Sequence, residues 1–208
     1  MKSKTIYIVR HGQTEFNKKN MVQGRGVDAP LNELGKQQAQ ALFGEFKEEQ
    51  LDHIYVSSLK RTSETVAHLK AAGVSCSSLT GLDEISWGNQ EGKVASKEAK
   101  NLYARTVADW SNGKLDQSVG GGESPLDVMK RQKEDWSIIM NSSHKRILIC
   151  MHGRAMRILL CWLLHYPLNY MDGFPHQNCA YYQLHWNGAT FTIQRFNETR
   201  HLVNAQEF

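Results

Sequence analysis

Two short apolar runs, Thr5 to Val9 and Arg146 to Met151, each stop at a histidine–glycine step, the first as Arg10-His11-Gly12 and the second as His152-Gly153-Arg154. Uninterrupted β-branched, aliphatic and aromatic residues read as buried strands. A cation and an imidazole at the end of a buried strand cost free energy unless something there uses them. Parallel strands of one sheet carry such endings to the same carboxyl edge, where open α/β sheets bind their ligands. The echo therefore predicts an α/β chain with a mostly parallel sheet, in which His11 and His152 converge.

The residue types suit a phosphoryl group. Arg10 offers a planar fork that matches two phosphate oxygens, and His11 is the side chain best able to act as base or nucleophile near neutral pH. Gly12 removes a Cβ, so that a ligand or a second backbone can come close to His11. A lone Arg-His pair is equally a surface turn, and a lone histidine after a strand is equally a cap; the repetition favours a site.

Between the two strands the chain alternates helical and extended patterns. Gln23-Gly24-Arg25-Gly26 is a polar, cationic loop of the kind that covers a ligand-facing strand end. Asn32 reads as an N-cap, with Leu34, Ala41, Leu42 and Phe46 at helical spacing to about Glu49. Asp52 to Val56 is a short strand, and Ser57 opens a helix that continues to Gly73. Arg61 falls in its first turn, where a cation opposes the macrodipole; a bound anion would remove the conflict. Leu79 to Leu82 is predicted as a further strand, leading into Asp83-Glu84-Ile85-Ser86-Trp87-Gly88-Asn89-Gln90-Glu91-Gly92, where two adjacent carboxylates beside an aromatic residue offer a candidate acid.

Val94 to Trp110 has helical patterning and Ser111 to Gly122 is loop, so about 93–122 forms a cap-like insertion. Gly120-Gly121-Gly122 lacks the preceding strand and the following GKS/T of a phosphate cradle, and reads as a hinge or turn. Ser124, Pro125 and Asp127 occupy N-cap, N1 and N3 of a helix to about Ser142. Ala155 to His165 is a helix. Asn187-Gly188, between Cys179–Trp186 and Ala189–Phe196, predicts a hairpin with a type I′ turn as the antiparallel edge.

Composition narrows the classes. With 40% hydrophobic and 22% charged residues, no repeat and no linker, the 208 residues read as a single domain, 1–208. No apolar stretch spans a bilayer, and the run after Lys2 and Lys4 stops at Arg10, unlike a secretory signal, so a cytoplasmic location is expected. Cys76, Cys150, Cys161 and Cys179 lack paired spacing, which predicts buried thiols and no disulfides. His176, Asn178, His185 and His201 show no metal-ligand spacing. The net charge of +4, without a dense basic cluster, argues for a small phosphorylated substrate and against nucleic acid. No pattern addresses oligomeric state.

Arg10-His11-Gly12 with Gln13, Thr14 and Asn17; Gln23-Gly24 with Asp28 to Leu31; Ser57 to Thr65 around Arg61; Glu84 to Gly92; Gly121 to Ser124; and His152-Gly153 follow one another as in the histidine phosphatase superfamily, with its phosphoglycerate-mutase-like fold. The chain resembles that family, and its phosphatase-type branch, from residue 5 to about 180. The resemblance implies a three-layer α/β/α sandwich, mostly parallel, with an antiparallel edge strand. It also implies His11 as nucleophile, Glu84 and not Asp83 as general acid, Arg10, Arg61 and His152 as cationic donors, and Asn17, Gln23, Gly24 and Gly153 as phosphate or substrate contacts.

The activity implied is phosphomonoester hydrolysis of the histidine acid phosphatase type. It proceeds through a phosphohistidine on a small phosphorylated metabolite, with no metal and no cofactor, because cationic side chains stabilise the transferred group. Two alternatives follow from the same fold, a cofactor-dependent phosphoglycerate mutase and an inactive phospho-ligand-binding module. Related mutases carry a longer insertion after the acid, and Trp87 to Gly92 looks more like the phosphatase version. Trp87, Tyr103 and Trp110 read as core.

Overall fold

The two strands that end in His-Gly lie side by side. A computed structural model describes residues 3–94 and 96–205. Its strands β1 (Lys4–Arg10), β2 (His53–Val56), β3 (Cys76–Ser78), β4 (Arg146–Met151), β5 (Tyr181–Trp186) and β6 (Phe191–Glu198) form one sheet in the order β3-β2-β4-β1-β5-β6. β1 runs parallel to β4, with Val9 opposite Cys150 and Arg10 opposite Met151, so His11 and His152 leave the sheet together. β2 and β3 extend the parallel part, whereas β5 pairs antiparallel with β1 and β6 antiparallel with β5.

The helices are α1 (Glu15–Lys18), α2 (Glu33–Phe46), α3 (Lys60–Thr65), α4 (Ala67–Ala71), α5 (Lys97–Ser111), α6 (Pro125–Asn141) and α7 (Gly153–Leu163). Strand alternation sorts the core into two layers. Tyr7 and Val9 pack with Leu42 and Phe46 of α2 and Leu69 of α4, while Ile6, Ile8, Ile147 and Ile149 pack with α6 and α7. Both sheet faces are thus covered, which is why β1 and β4 are apolar at successive positions. Three layers result, as the resemblance implied.

Local signals held where they were strongest. Ser124 and Asp127 close a capping box with Pro125 in the first turn of α6, and Asn32 caps α2 through the amide of Gly35. Elsewhere the structure departs from expectation. The helix expected from Ser57 to Gly73 begins at Lys60 and breaks at Val66, whose φ of −102° and ψ of 11° are not helical. Thr62 and Thr65 turn their hydroxyls back onto the carbonyls of Leu59 (2.8 Å) and Arg61 (2.6 Å), a competition that weakens helices. The strand expected at Leu79–Leu82 lies earlier, at Cys76–Ser78, and Thr80–Leu82 is a 3-10 turn because Gly81 tucks beneath the backbone of Arg131.

The helix expected from Val94 starts at Lys97, as α5, with Ser96 as its N-cap, whereas Val94 bridges to Met21. The hairpin loop is four residues, 187–190, not two: Asn187 Oδ1 accepts the amides of Ala189 (2.9 Å) and Thr190 (3.0 Å), and of the pair only Gly188 has a positive φ. A type I′ turn needs both. The four cysteines are free, three of them buried and Cys76 half-buried. Among the described residues no helix is long and apolar enough to cross a membrane.

Candidate active site

The carboxyl ends of β1 and β4 open into a cleft of about 230 Å³ in which Arg10, His11, Asn17, Gln23 and Glu84 come together, walled by Met21, Val22, Trp87 and Tyr103. His11 is 3% exposed, and its Nδ1 lies 2.7 Å from the carbonyl oxygen of Gly12. A carbonyl only accepts, so Nδ1 carries the hydrogen and Nε2 keeps a bare lone pair. Burial, reinforced by the guanidinium groups of Arg61 and Arg10, holds the imidazole well below its ordinary pKa of 6.5. His11 is therefore neutral at neutral pH, with Nε2 unprotonated.

The segment that carries His11 is fixed from both sides. The Gly12 amide donates to Thr65 Oγ1 at 2.9 Å, and a Cβ on Gly12 would meet the carbonyl oxygen of Gly35 at 2.7 Å. The missing side chain thus admits the second backbone, at the start of α2, rather than a ligand. Asn17 sits at N3 of α1 in a capping box with Thr14; its Oδ1 accepts the Thr14 amide (3.1 Å) and the Asn178 side chain (3.3 Å). Gln23 Oε1 accepts from Thr14 at 2.7 Å, while Gln23 Nε2 and Arg10 Nε are buried with no partner among the described residues. An unmet buried donor costs about 1–3 kcal/mol, which a bound phosphoryl group would relieve. Burial lowers Arg10 to about 10, so it stays charged at neutral pH.

Arg61, His152, Gly24 and Gly153 stand behind the cleft and not on its surface. Arg61 is fully buried and donates from Nε to His152 Nδ1 (3.1 Å), from Nη1 to the Val27 carbonyl (2.6 Å) and from Nη2 to the Gly24 carbonyl (3.3 Å). Its expected conflict with the helix start is thus met by protein carbonyls. His152 passes its other nitrogen, Nε2, to Ser57 Oγ at 2.7 Å, and its ring lies 5.0 Å from that of His11. Burial, with Arg61, His11 and Arg10 nearby, depresses its pKa well below 6.5. His152 is hence neutral, and the expectation of a cationic donor there does not match this arrangement. Gly24 and Gly153 likewise serve packing: a Cβ on Gly24 would meet the Ile85 carbonyl at 2.7 Å, and one on Gly153 would meet the His176 ring at 2.8 Å.

Glu84 reaches the cleft from across the sheet edge. Its Oε1 accepts the amides of Ile85 (2.9 Å) and Ala155 (2.9 Å), and its Oε2 accepts that of Arg154 at 3.2 Å. The carboxylate caps α7, whose N-cap residue His152 makes no side-chain cap bond. Oε2, with its single longer bond, is the less engaged of the two oxygens. Its neighbour Asp83 is structural, accepting Ser58 N (2.8 Å) and Arg25 Nε (3.1 Å). Arg131 of α6 supports the whole segment through the carbonyls of Gly81 (2.8 Å), Asp83 (2.9 Å) and Glu84 (3.0 Å), held in turn by Glu123 at 2.8 Å.

Several residues were not anticipated. Arg154, 6% exposed, donates to Tyr103 Oη (3.0 Å) and Asp172 (2.7 Å) and lies 5.4 Å from the Trp110 ring, joining α7 to α5. Its position directly after His152-Gly153 was the only sequence signal. His176 was noted only for metal spacing; burial and Arg10, Arg157 and Arg154 lower it to about 3. The triple glycine is a backbone clasp, with Asn89 N donating to the Gly120 carbonyl (3.0 Å) and Glu123 N to that of Ser86 (2.9 Å). Among the described residues no three His, Cys, Asp or Glu side chains are grouped to hold a metal ion.

A family model described as histidine phosphatase superfamily, branch 1, matches residues 6–199. Phosphoserine phosphatase 1 of Hydrogenobacter thermophilus is 29% identical over 199 residues, covering 95% of this chain and 93% of that protein. Phosphoglycerate mutase-like protein 4 of Arabidopsis thaliana is 32% identical over 159 residues, 74% of this chain and 68% of that protein. In fold, the chain is similar to the mycobacterial glucosyl-3-phosphoglycerate phosphatase solved with VO3, at a TM-score of 0.84 and 24% identity, covering 94% of this chain and all of that one.

Proposed function

The chain belongs to the histidine phosphatase superfamily, and from that premise we propose that it hydrolyses a small phosphomonoester through a phosphohistidine on His11, as a metal-independent enzyme of the histidine acid phosphatase type. The observation that carries this reading is the tautomer of His11: Nδ1–H is committed to the Gly12 carbonyl, so Nε2 is a bare nucleophile.

In this mechanism Nε2 attacks phosphorus in line, and the bond to the ester oxygen breaks as Glu84 gives that oxygen a proton. Arg10 and Arg61 supply positive charge for the equatorial oxygens, and Asn17 and Gln23 supply neutral donors. His152 acts on Arg61 as a positioning residue. Glu84, now ionised, takes a proton from the water that attacks the phosphohistidine, releasing phosphate and restoring neutral His11. The segment 93–122 serves as a cap within a single domain spanning 1–208.

Rapid quench in alkali with a ³²P-labelled ester tests the proposal. Label should reside on His11, be lost in acid, and be absent from His11→Ala, which should also lose turnover while remaining folded. Label on a serine, or on the His11→Ala protein, would overturn it. Sustained release of phosphate separates an enzyme from a silent phospho-ligand-binding module. Likeness to a phosphoglycerate mutase-like protein supports a mutase as the second reading.

A further inference from the structure

The cleft shares a wall with a second chamber. Val22, Trp87 and Tyr103 line both, and beyond them lies a cavity of about 250 Å³ completed by Ala99 and Val119. Three polar residues share the lining, Asn20 and Lys100 exposed and Gln90 half-buried, with the Gln90 side-chain amide donating to Asn89 Oδ1. We propose that this chamber receives the alcohol portion of the substrate, and that the preferred esters carry an aromatic or branched aliphatic body rather than a polyol or an amino acid. The inference rests on the hydrolase reading above and extends it to substrate class.

Three observations point the same way. Glu84, the proposed donor to the leaving oxygen, shares the cleft with Trp87 and Tyr103, so a carbon skeleton departing from that oxygen runs along these two rings. The rings are fixed in place: Trp87 packs 5.4 Å from Tyr103 and 6.1 Å from Trp110, and the Tyr103 hydroxyl is engaged by Arg154 at 3.0 Å. They therefore present faces and edges to the chamber.

Apart from Gln90, Asn20 and Lys100, the walls are aliphatic or aromatic. Hydroxyls of a sugar or glycerol placed against Val22, Ala99 and Val119 would lose water without gaining partners. An apolar ring meets no such cost and gains burial. In size, a dry cavity of roughly 150 Å³ accepts benzene, so this chamber holds a ring with a short chain.

The test compares esters of alcohols of similar basicity, so that leaving-group chemistry does not set the ratio. Phosphate release from 2-phenylethyl phosphate should exceed that from glycerol 1-phosphate and from phosphoserine by at least about tenfold in kcat/KM. Ala99→Phe, which fills the chamber from α5, should lower that ratio by about tenfold. Ala99→Leu, a smaller filling, should move it the same way if phenylalanine is not tolerated. Equal kcat/KM for the three esters in the unaltered protein, or an unchanged ratio in both variants, overturns the inference while leaving the hydrolase reading intact. Absence of phosphate release from every ester removes the hydrolase reading and this inference with it.

Discussion

Arg61 donates its Nε–H to His152 Nδ1 at 3.1 Å. With Nδ1 accepting, the neutral ring of His152 carries its hydrogen on Nε2 and gives it to Ser57 Oγ at 2.7 Å. One guanidinium therefore sets the tautomer of one imidazole and ties it to the turn after β2. It also clamps the loop that runs through Gly24 and Val27. Charge and geometry at this point are separable by mutation.

Arg61→Lys keeps the charge and loses the fork, and an ammonium on a flexible stem cannot meet three divergent acceptors. The variant should fall by about 10²-fold in kcat/KM on any ester. Its unfolding free energy should drop by about 1–3 kcal/mol from the acceptors left unmet. Steady-state kinetics and denaturant titration check both; activity within threefold of the parent would show that the fork is not used.

Glu84→Gln removes the proposed proton donor and also sets an amide nitrogen against a backbone amide at the start of α7. Alkyl esters should lose about 10²–10⁴-fold in kcat, and nitrophenyl esters much less, because nitrophenolate leaves without protonation. Stability should fall by about 1–3 kcal/mol. A plot of log kcat against leaving-group pKa that keeps its slope would mean another group donates the proton.

Asp83→Asn is expected to act on stability instead. The carboxylate is 2% exposed and joins Ser58 to Arg25, so weakening it loosens two loops that border the cleft. The expected signature is a lower thermal midpoint with the leaving-group dependence unchanged. A changed dependence would reassign the acid from Glu84 to Asp83.

Stability and activity should part company in acid. His11, His152 and His176 are depressed below 6.5, chiefly by burial, and His176 stands near 3. Such groups bind protons more readily in the unfolded chain, so stability is complete above 6.5 and is lost as pH falls toward the folded pKa. Between pH 6.5 and 5 His176 contributes a loss of about 2 kcal/mol, and His11 and His152 add to it in the same direction. The carboxylates of Glu123, Asp127 and Glu198, also depressed, add to the loss only below their ordinary value of about 4. Turnover of nitrophenyl phosphate, which under the proposed mechanism needs neutral His11, should persist below pH 6.5 in protein that remains folded. A thermal midpoint constant from pH 7 to 5 would contradict this.

Given a phosphoglycerate, the protein should release free phosphate at least as fast as it forms any isomer. A mutase must keep water from its phosphoenzyme, which calls for a larger cover than one helix and a loop. Isomerisation faster than phosphate release by orders of magnitude, especially when primed by a bisphosphate, would favour the mutase reading.

What the sequence disclosed follows the range of each interaction. The β1 and β4 strands and the caps at Asn32 and Ser124 were legible because they rest on period and on partners three residues away. The approach of His11 to His152 was legible only because the ending recurs. The acceptors of Arg61, the amides that hold Glu84 and the Arg154–Tyr103 contact join segments tens of residues apart, and no local pattern encodes them. Gly12 shows the difficulty well. Its lack of a Cβ was visible, but Gly35 as the reason for it was not.

The pairing of β1 has a kinetic meaning. Thr5 faces Arg146, and Lys4 faces Trp186, so the strand that carries His11 is seated only when segments far along the chain have closed onto it. Loops this long are costly to close before their contacts form, and parallel pairing offers no hairpin to begin from. α2, α4 and the β2–β3 pair can assemble from nearby residues while β1 waits, an apolar ribbon without partners. Refolding of this chain should therefore be slow and sensitive to concentration, with phosphatase activity returning in its last phase, after most helical signal has been regained.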